Sequence, residues 1–344
     1  MRRGDPHRAL RWLWTSRRPE ARLARLALLP AASVWRGVAA ARAAAYARRW
    51  FGVRELPLPA VAVGNLTLGG SGRSAVAGWI ARHYLARGLR VAVLVPGAGA
   101  VDLLVHRHAI PGALVLGDRD RLAAAGRAAA QGAQVLVLDD AYQRLDLLRD
   151  LNLLVMAAEA GRAVRWTLPA GPWREGWSAL RRADGAVVTR KRAPLEAAQA
   201  LARELAAEIR GPVAVAHLGL RHLVGLVSGE RRPASILAGK RVVAASRAAD
   251  PDAFVAQTKA TGAAVQVASW SGPAYRDEDV AWLAHAARRA DHVVITEKDA
   301  AELRDRWPHR VPEPLVAVLE PAWEQGGEAL AAALDAVVTP VDGL

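Results

Sequence analysis

Residues 61–74 read V-A-V-G-N-L-T-L-G-G-S-G-R-S: a short apolar run ending at Gly64, a glycine-rich loop, then Arg73 and Ser74 opening a segment with helical character (Ala75–Arg87). A strand, a glycine-rich loop and a helix N-terminus together form a phosphate cradle. Backbone N–H groups turn inward and the helix dipole favours negative charge. Set on the frame G-x-x-x-x-G-K-[ST], the eight positions are Thr67, Leu68, Gly69, Gly70, Ser71, Gly72, Arg73 and Ser74, with threonine for the first glycine and arginine for the lysine. By itself such a loop is equally a tight strand-to-helix turn.

A second feature supports the nucleotide reading. Val135–Leu138 is an apolar run that ends in Asp139-Asp140, 65 residues after Ser74. Phosphoryl transfer needs a cation against the phosphate charge and a carboxylate at the end of a neighbouring strand to position it. Asp139 or Asp140 would hold Mg²⁺, directly or through water, and Ser74 would supply a hydroxyl. The alternative is a pair of acids opening a solvated loop, but loop and pair in this order favour a nucleotide site.

The elements that must position these groups alternate. Strands are predicted at Pro57–Val63, Val91–Val95, Ala113–Leu116, Val135–Leu138, Leu151–Met156, Gly185–Thr189 and Pro212–His217, with helices at Asp120–Ala130 and Pro194–Ile209. Continuous apolar strands alternating with helices indicate a parallel sheet covered on both faces. Leu218–Pro233 is polar and turn-rich and reads as a link. A second alternation follows, with strands at Arg241–Ala245, Ala264–Ala268, Val293–Thr296 and Leu315–Leu319, and helices at Pro251–Thr261, Asp277–Ala290 and Gly327–Val337. The expectation is an α/β fold: a P-loop NTPase-like sheet over residues 51–220, a second, smaller α/β domain over 221–344, and an N-terminal arm with an amphipathic helix over 1–50.

A chain of 344 residues, 52% apolar, buries a sizeable core. It has no cysteine, which excludes disulfides, thiol nucleophiles and cysteine-ligated zinc. The net charge of +14 is concentrated at the start: residues 1–49 hold twelve arginines against Asp5 and Glu20, a surplus of +10. Met1–Arg25 is a basic lead carrying Trp12 and Trp14. The apolar run Leu26–Trp35 is broken by Pro30 and falls short of the ~20 residues that cross a bilayer. The pair Arg17-Arg18 invites a signal-peptide reading, which the short, proline-broken run opposes. In Ala31–Trp50, apolar residues, tryptophan and arginine share a helix, a composition suited to a membrane interface or to packing on the chain's own domain.

The chain resembles the tetraacyldisaccharide 4′-kinases, the lipid A 4′-kinases of Gram-negative bacteria, in order over nearly its whole length. The matching stretches are Val63–Ser74, D-D-A-Y-Q-R-L-D-L-L-R-D-L (Asp139–Leu151), L-P-A-G-P-W-R-E-G-W-S-A-L-R-R-A-D (Leu168–Asp184) and I-T-E-K-D-A (Ile295–Ala300). The resemblance implies ATP- and Mg²⁺-dependent phosphorylation of the 4′-hydroxyl of a tetraacylated disaccharide 1-phosphate, giving lipid IVA. The enzyme would be peripheral on the cytoplasmic face of the inner membrane, held there through its N-terminal helix, with no nucleic acid as partner. It further implies that Gly69–Ser74 bind the ATP phosphates, that Asp139 and Asp140 serve the metal, that Gln143 lines the site and that Arg174 reaches phosphate. Counting back from Asp120-Arg121 places the family's hydroxyl-activating aspartate at Asp102.

This chain departs from the family at several points. Arg73 stands for the lysine, V-P-G-A-G (Val95–Gly99) for S-R-G-Y-G, V-D-L-L (Val101–Leu104) for G-D-E-P, and Gln143-Arg144 for Q-H. The family histidine that would partner the aspartate falls near Ser271–Pro273, where there is none. His106, His108 and His217 are substitute bases on paper, and each reads first as a surface or packing histidine. Two alternatives stand beside the kinase: a degenerate paralogue that binds nucleotide or lipid without transfer, and a nucleic-acid-binding protein using its basic arm.

Overall fold

A computed structural model describes residues 6–97, 101–161, 165–247, 251–270 and 274–339. The described chain forms two compact units, one of residues 6–217 and 321–339, the other of residues 218–320.

The larger unit opens with α1 (Pro6–Thr15), α2 (Pro19–Ala27) and α3 (Leu29–Ala47). The basic lead is therefore helical from Pro6. The guanidinium of Arg25 is buried and donates to the carbonyls of Leu13 (2.7 Å) and Ser16 (3.0 Å), which fastens α2 to the end of α1. The alternating part follows: β1 (Ala60–Gly64), α4 (Arg73–Leu85), β2 (Val91–Pro96), α5 (Val101–Ala109), β3 (Leu114–Asp118), α6 (Arg121–Ala130), β4 (Val135–Asp139), β5 (Leu151–Ala157), the short α7 (Ala158–Gly161), β6 (Gly185–Arg190), α8 (Leu195–Ala206) and β7 (Val213–Gly225). In this unit the sheet order is β7-β6-β5-β1-β4-β2-β3, with neighbouring strands parallel. Strands β1, β4 and β5 are buried at every residue. Side chains alternate across the sheet: Val61 and Val63 join Val76, Ile80 and Tyr84 of α4 on one face, while Ala60 and Ala62 join Ala124, Ala125 and Ala128 of α6 on the other. The Asp120 carboxylate caps α6 by accepting from the N–H groups of Leu122 (3.0 Å) and Ala123 (3.1 Å).

Strand order decides where a site can lie. From β1 the chain builds outward through β2 and β3, returns to β4 beside β1, then moves to β5 on the other side. The carboxyl ends of β4, β1 and β5 thus flank a topological switch point, the place where open parallel sheets bind ligands.

The smaller unit holds β8 (Arg231–Pro233), β9 (Arg241–Ser246), α9 (Pro251–Ala260), β10 (Ala264–Ser269), α10 (Asp277–Ala287), β11 (His292–Thr296) and α11 (Glu297–Leu303). The chain leaves through β12 (Leu315–Gln325) to α12 (Gly327–Val338) in the larger unit. Strands β10, β9, β11 and β12 are parallel in that order. The second alternation is present, with one correction. Residues 218–233 are not a link: β7 continues to Gly225 and pairs antiparallel with β8. Leu218 and Leu223 are buried, on opposite faces of the strand, with the exposed Arg221 and the glycines at 219 and 225 interrupting the apolar pattern between and after them. Where the sequence suggests a division at residue 220, the compact units divide at Leu218. Residues 321–339 return to the larger unit because Leu330 and Leu334 of α12 enter its core.

Gly64, the last residue of β1, has no room for a side chain: a Cβ would lie 2.4 Å from Cβ and 2.7 Å from N of Tyr142. Gly64→Ala is expected to cost at least about 1–3 kcal/mol, read as a lower denaturant midpoint, and an unchanged midpoint would contradict this packing.

Candidate active site

The loop between β1 and α4 is held from outside. Thr67 is buried and bridges to Trp173, Leu68 N–H donates to Pro172 O (2.8 Å), and Asn65 Nδ2 donates to Ser71 Oγ (3.0 Å). Thr189 Oγ1 at the end of β6 donates to Ser71 O (2.6 Å). Two glycines carry the bend, Gly69 at φ 127° and Gly72 at φ 78°, where a side chain would be strained. A Cβ on Gly69 would meet nothing within 4 Å, so the loop faces open space. Gly72 is the N-cap of α4 and offers no capping side chain, which leaves the first-turn amides to an outside anion.

Asp139 ends β4 in register with Val63 of β1, one residue short of the loop. Its carboxylate is fully buried. Oδ1 accepts from Arg73 Nε (2.5 Å) and from the Asp140 N–H (2.9 Å); Oδ2 accepts from Ser74 Oγ (3.1 Å) and His106 Nε2 (2.9 Å). Its carbonyl accepts from buried Arg121 NH2 (2.7 Å). Burial works against the Asp139 charge, but the His106 hydrogen bond and the Arg73 charge outweigh it and hold the carboxyl well below the usual carboxylate range. Burial likewise lowers Arg121 to about 10, which leaves it cationic at neutral pH.

Asp140 follows at φ 54°, a left-handed conformation that aspartate adopts more readily than most residues. The turn aims its carboxylate back at the loop, where Oδ1 meets Arg73 NH1 (2.6 Å) and Arg174 NH1 (2.8 Å). Arg174 NH1 also reaches Gln143 Oε1 (3.3 Å), and Gln143 Nε2 donates to Asn65 O (3.0 Å). The sequence-derived residues Arg73, Ser74, Asp139, Asp140, Gln143 and Arg174 therefore converge around one loop. Arg73 bridges the two acids. Asp102 stands in the first turn of α5, its side chain outside the described residues, as is the 271–273 segment.

His106, a substitute base on paper that reads first as a surface or packing histidine, is buried against Asp139. Its one sequence signal is its spacing, a single helical turn beyond Asp102 on α5. His108, in contrast, is exposed and bonds its Nδ1 to Leu104 O (2.8 Å). Arg121, which the sequence offers only as an alignment anchor, is the second residue that reasoning from sequence left without a role.

Asp139→Asn removes the buried carboxylate shared by Arg73, Ser74 and His106 and leaves Arg73 to Asp140 alone, so it is expected to destabilise the chain by about 3–5 kcal/mol in denaturant titration, whereas a change under 1 kcal/mol would show that the cluster contributes little.

With this geometry in hand, known proteins give a consistent picture. The family model described as LpxK, Tetraacyldisaccharide-1-P 4′-kinase, matches residues 24–102 and 96–339. The tetraacyldisaccharide 4′-kinase of Geobacter metallireducens is 37% identical over 309 residues, covering 81% of this chain and 88% of that protein. That of Anaeromyxobacter sp. strain K is 34% identical and covers 95% and 94%. A crystal structure of LpxK from Aquifex aeolicus in complex with ATP matches at TM-score 0.71 and 21% identity, over 92% of this chain and 99% of that one, a likeness of fold. With the family model spanning most of the chain and relatives above 30% identity along its length, the chain belongs to the tetraacyldisaccharide-1-P 4′-kinase family.

Proposed function

We propose that this chain transfers the γ-phosphate of ATP to the 4′-hydroxyl of tetraacyldisaccharide 1-phosphate, releasing ADP and the 1,4′-bisphosphorylated lipid of the lipid A route. The observation that carries this reading is the Ser74–Asp139 hydrogen bond at the N-terminus of α4, beside a glycine loop open on its outer side. The donor set of one hydroxyl and two carboxylates is the hard-oxygen kind that Mg²⁺ accepts together with phosphate oxygens. Ser74, Asp139 and Asp140 would hold the ion. Bound there, Mg²⁺ supplies charge neutralisation to the phosphate in transfer.

The protein's own groups supply the rest. Arg73 and Arg174 are poised on Asp140, and each carries the planar fork that binds phosphate through two N–H groups. Arg73 neutralises the two acids until a phosphate competes for it. The amides of Gly70–Ser74 would take phosphate oxygens, Thr67 and Leu68 fix the loop's outer edge, and Gln143 lines the site. Asp102 would accept the proton of the 4′-hydroxyl.

A lipid acceptor calls for a membrane-facing surface. Trp12, Leu26, Val34, Val38, Trp50 and Phe51 are exposed along or just after α1–α3, interspersed with arginine. Such a surface suits the headgroup boundary of an anionic leaflet. No single helix among the described residues is long and apolar enough to cross a membrane; α2 and α3, bent by 49°, reach that length only as a pair. Peripheral attachment to the cytoplasmic face of the inner membrane is the arrangement this supports.

The direct test is incubation of folded protein with ATP, Mg²⁺ and the disaccharide 1-phosphate in detergent, with the bisphosphorylated product read by mass spectrometry; no product sinks the transfer. Arg73→Ala is expected to lower kcat about 10²–10³-fold with Arg73→Lys much closer to the parent, and Asp102→Asn to lower it about 10²–10⁴-fold. The double variant Val34→Glu/Val38→Glu should bind anionic vesicles at least ~10-fold more weakly while its kcat on detergent-dispersed acceptor is unchanged; equal binding would move the membrane contact elsewhere.

A further inference from the structure

Only four lysines occur among 47 basic residues, and one of them touches the phosphate loop from a different strand. Lys191 follows β6, and its Nζ donates to Gly70 O at 2.9 Å. The turn that carries it is pinned on three sides. Glu159 Oε1 accepts from the N–H groups of Lys191 (2.7 Å), Arg192 (2.8 Å) and Ala193 (3.1 Å). Arg190 forks onto the Glu324 carboxylate, with Nε 2.7 Å from Oε2, and Thr189 fastens the strand end to Ser71. The loop is shaped to receive the ammonium: a Cβ at Gly70 would stand 3.1 Å from Nζ.

Position assigns it a role different from that of Arg73. The sheet order β6-β5-β1-β4 sets the acids on one side of the loop and Lys191 on the other. A nucleotide whose terminal phosphates end at Asp139 and Asp140 must run its ribose and base the opposite way, over the carboxyl ends of β5 and β6. Arg73, committed to both acids, serves the terminal end. We propose that Lys191 is the cation that binds the nucleoside end of the nucleotide, at the α-phosphate and ribose oxygens, and so sets nucleotide affinity and not the rate of transfer. This rests on the nucleotide-site reading above. A compact ammonium on a flexible stem suits the position, since it can pivot from the Gly70 carbonyl to a ligand oxygen without moving the loop.

The test compares wild type with Lys191→Met, which keeps the shape of the stem and removes the charge, and with Lys191→Arg, which keeps the charge. ATP and ADP binding to the full chain is measured by calorimetry, beside steady-state kinetics, and thermal unfolding of the nucleotide-free proteins checks that each folds. Lys191→Met is expected to weaken ADP and ATP binding and to raise the KM for ATP by about 10–100-fold, with kcat and the KM for the disaccharide within about twofold; Lys191→Arg should retain binding within a few-fold. Lys191→Met that binds nucleotide as wild type does, or that lowers kcat at unchanged KM, overturns the assignment. Wild type that binds nucleotide without phosphorylating the disaccharide defeats the kinase reading alone, because the binding comparison at Lys191 still stands. Wild type that binds no nucleotide defeats both.

Discussion

A carboxylate taken fully out of water keeps its charge only if the protein replaces the solvation it loses, a penalty of several kcal/mol per ion. Asp139 meets that condition through donors drawn from separate elements: Arg73 and Ser74 from α4, His106 from α5, the following amide from its own chain, and Arg121 from α6 on its carbonyl. The anion therefore sets the mutual position of α4 and α5 around the end of β4, and the carbonyl of the same residue fastens α6 there. Shift any one of them and a donor is lost from a site where the loss is felt undiluted by water. The glycine loop inherits this order, since α4 begins at the very residues that grip Asp139.

The arrangement is hard to justify as stabilisation alone. Arg121 is buried almost completely, and its NH1 has no hydrogen-bond partner among the described residues. Replacing buried ion networks with apolar side chains of similar size is often neutral or stabilising. Asp140 adds a left-handed backbone, a conformation that costs energy in most residues. Desolvated charge and backbone strain beside an open loop are what a site for polyanions requires, because charged donors in a dry setting need little reorganisation when the ligand arrives.

The sheet was legible in the sequence because parallel strands covered on both faces are almost continuously apolar: V-A-V-G, V-L-V-L and, with Asn152 as its one polar residue, L-N-L-L-V-M have few other uses. Positions converging on the loop were legible for the same reason, since residues after such strands emerge at one edge. The second half of β7 was not, because Gly219, Arg221, His222 and Gly225 break up the apolar run that carries Leu218, Leu220 and Leu223. His106 was missed for a different reason. A histidine on a short helix has the same local signature whether it packs or ligates, and only the pairing of β4 between β1 and β2 brings Asp139 within its reach. Arg121 follows the same logic, with a capping aspartate before it that drew attention to the helix start instead.

The N-terminal helices share bonds with the phosphate site that no linear motif announces. Trp14 donates to Pro169 O, Thr167 to Ala32 O, Trp35 to Arg174 O at 2.8 Å, and Arg42 to Gln143 O at 3.2 Å. The segment from Thr167 to Arg174 thus has α1 and α3 on one side and the loop residues Leu66, Thr67 and Leu68 on the other. Arg174 belongs to both sets: its carbonyl holds the indole of an exposed tryptophan on α3 and its guanidinium holds Asp140. The exposed tryptophan and arginine of α3 and the glycine loop therefore meet through a single turn of chain. On the membrane attachment proposed above, that turn would be the shortest path of contacts between the membrane-facing helices and the glycine loop.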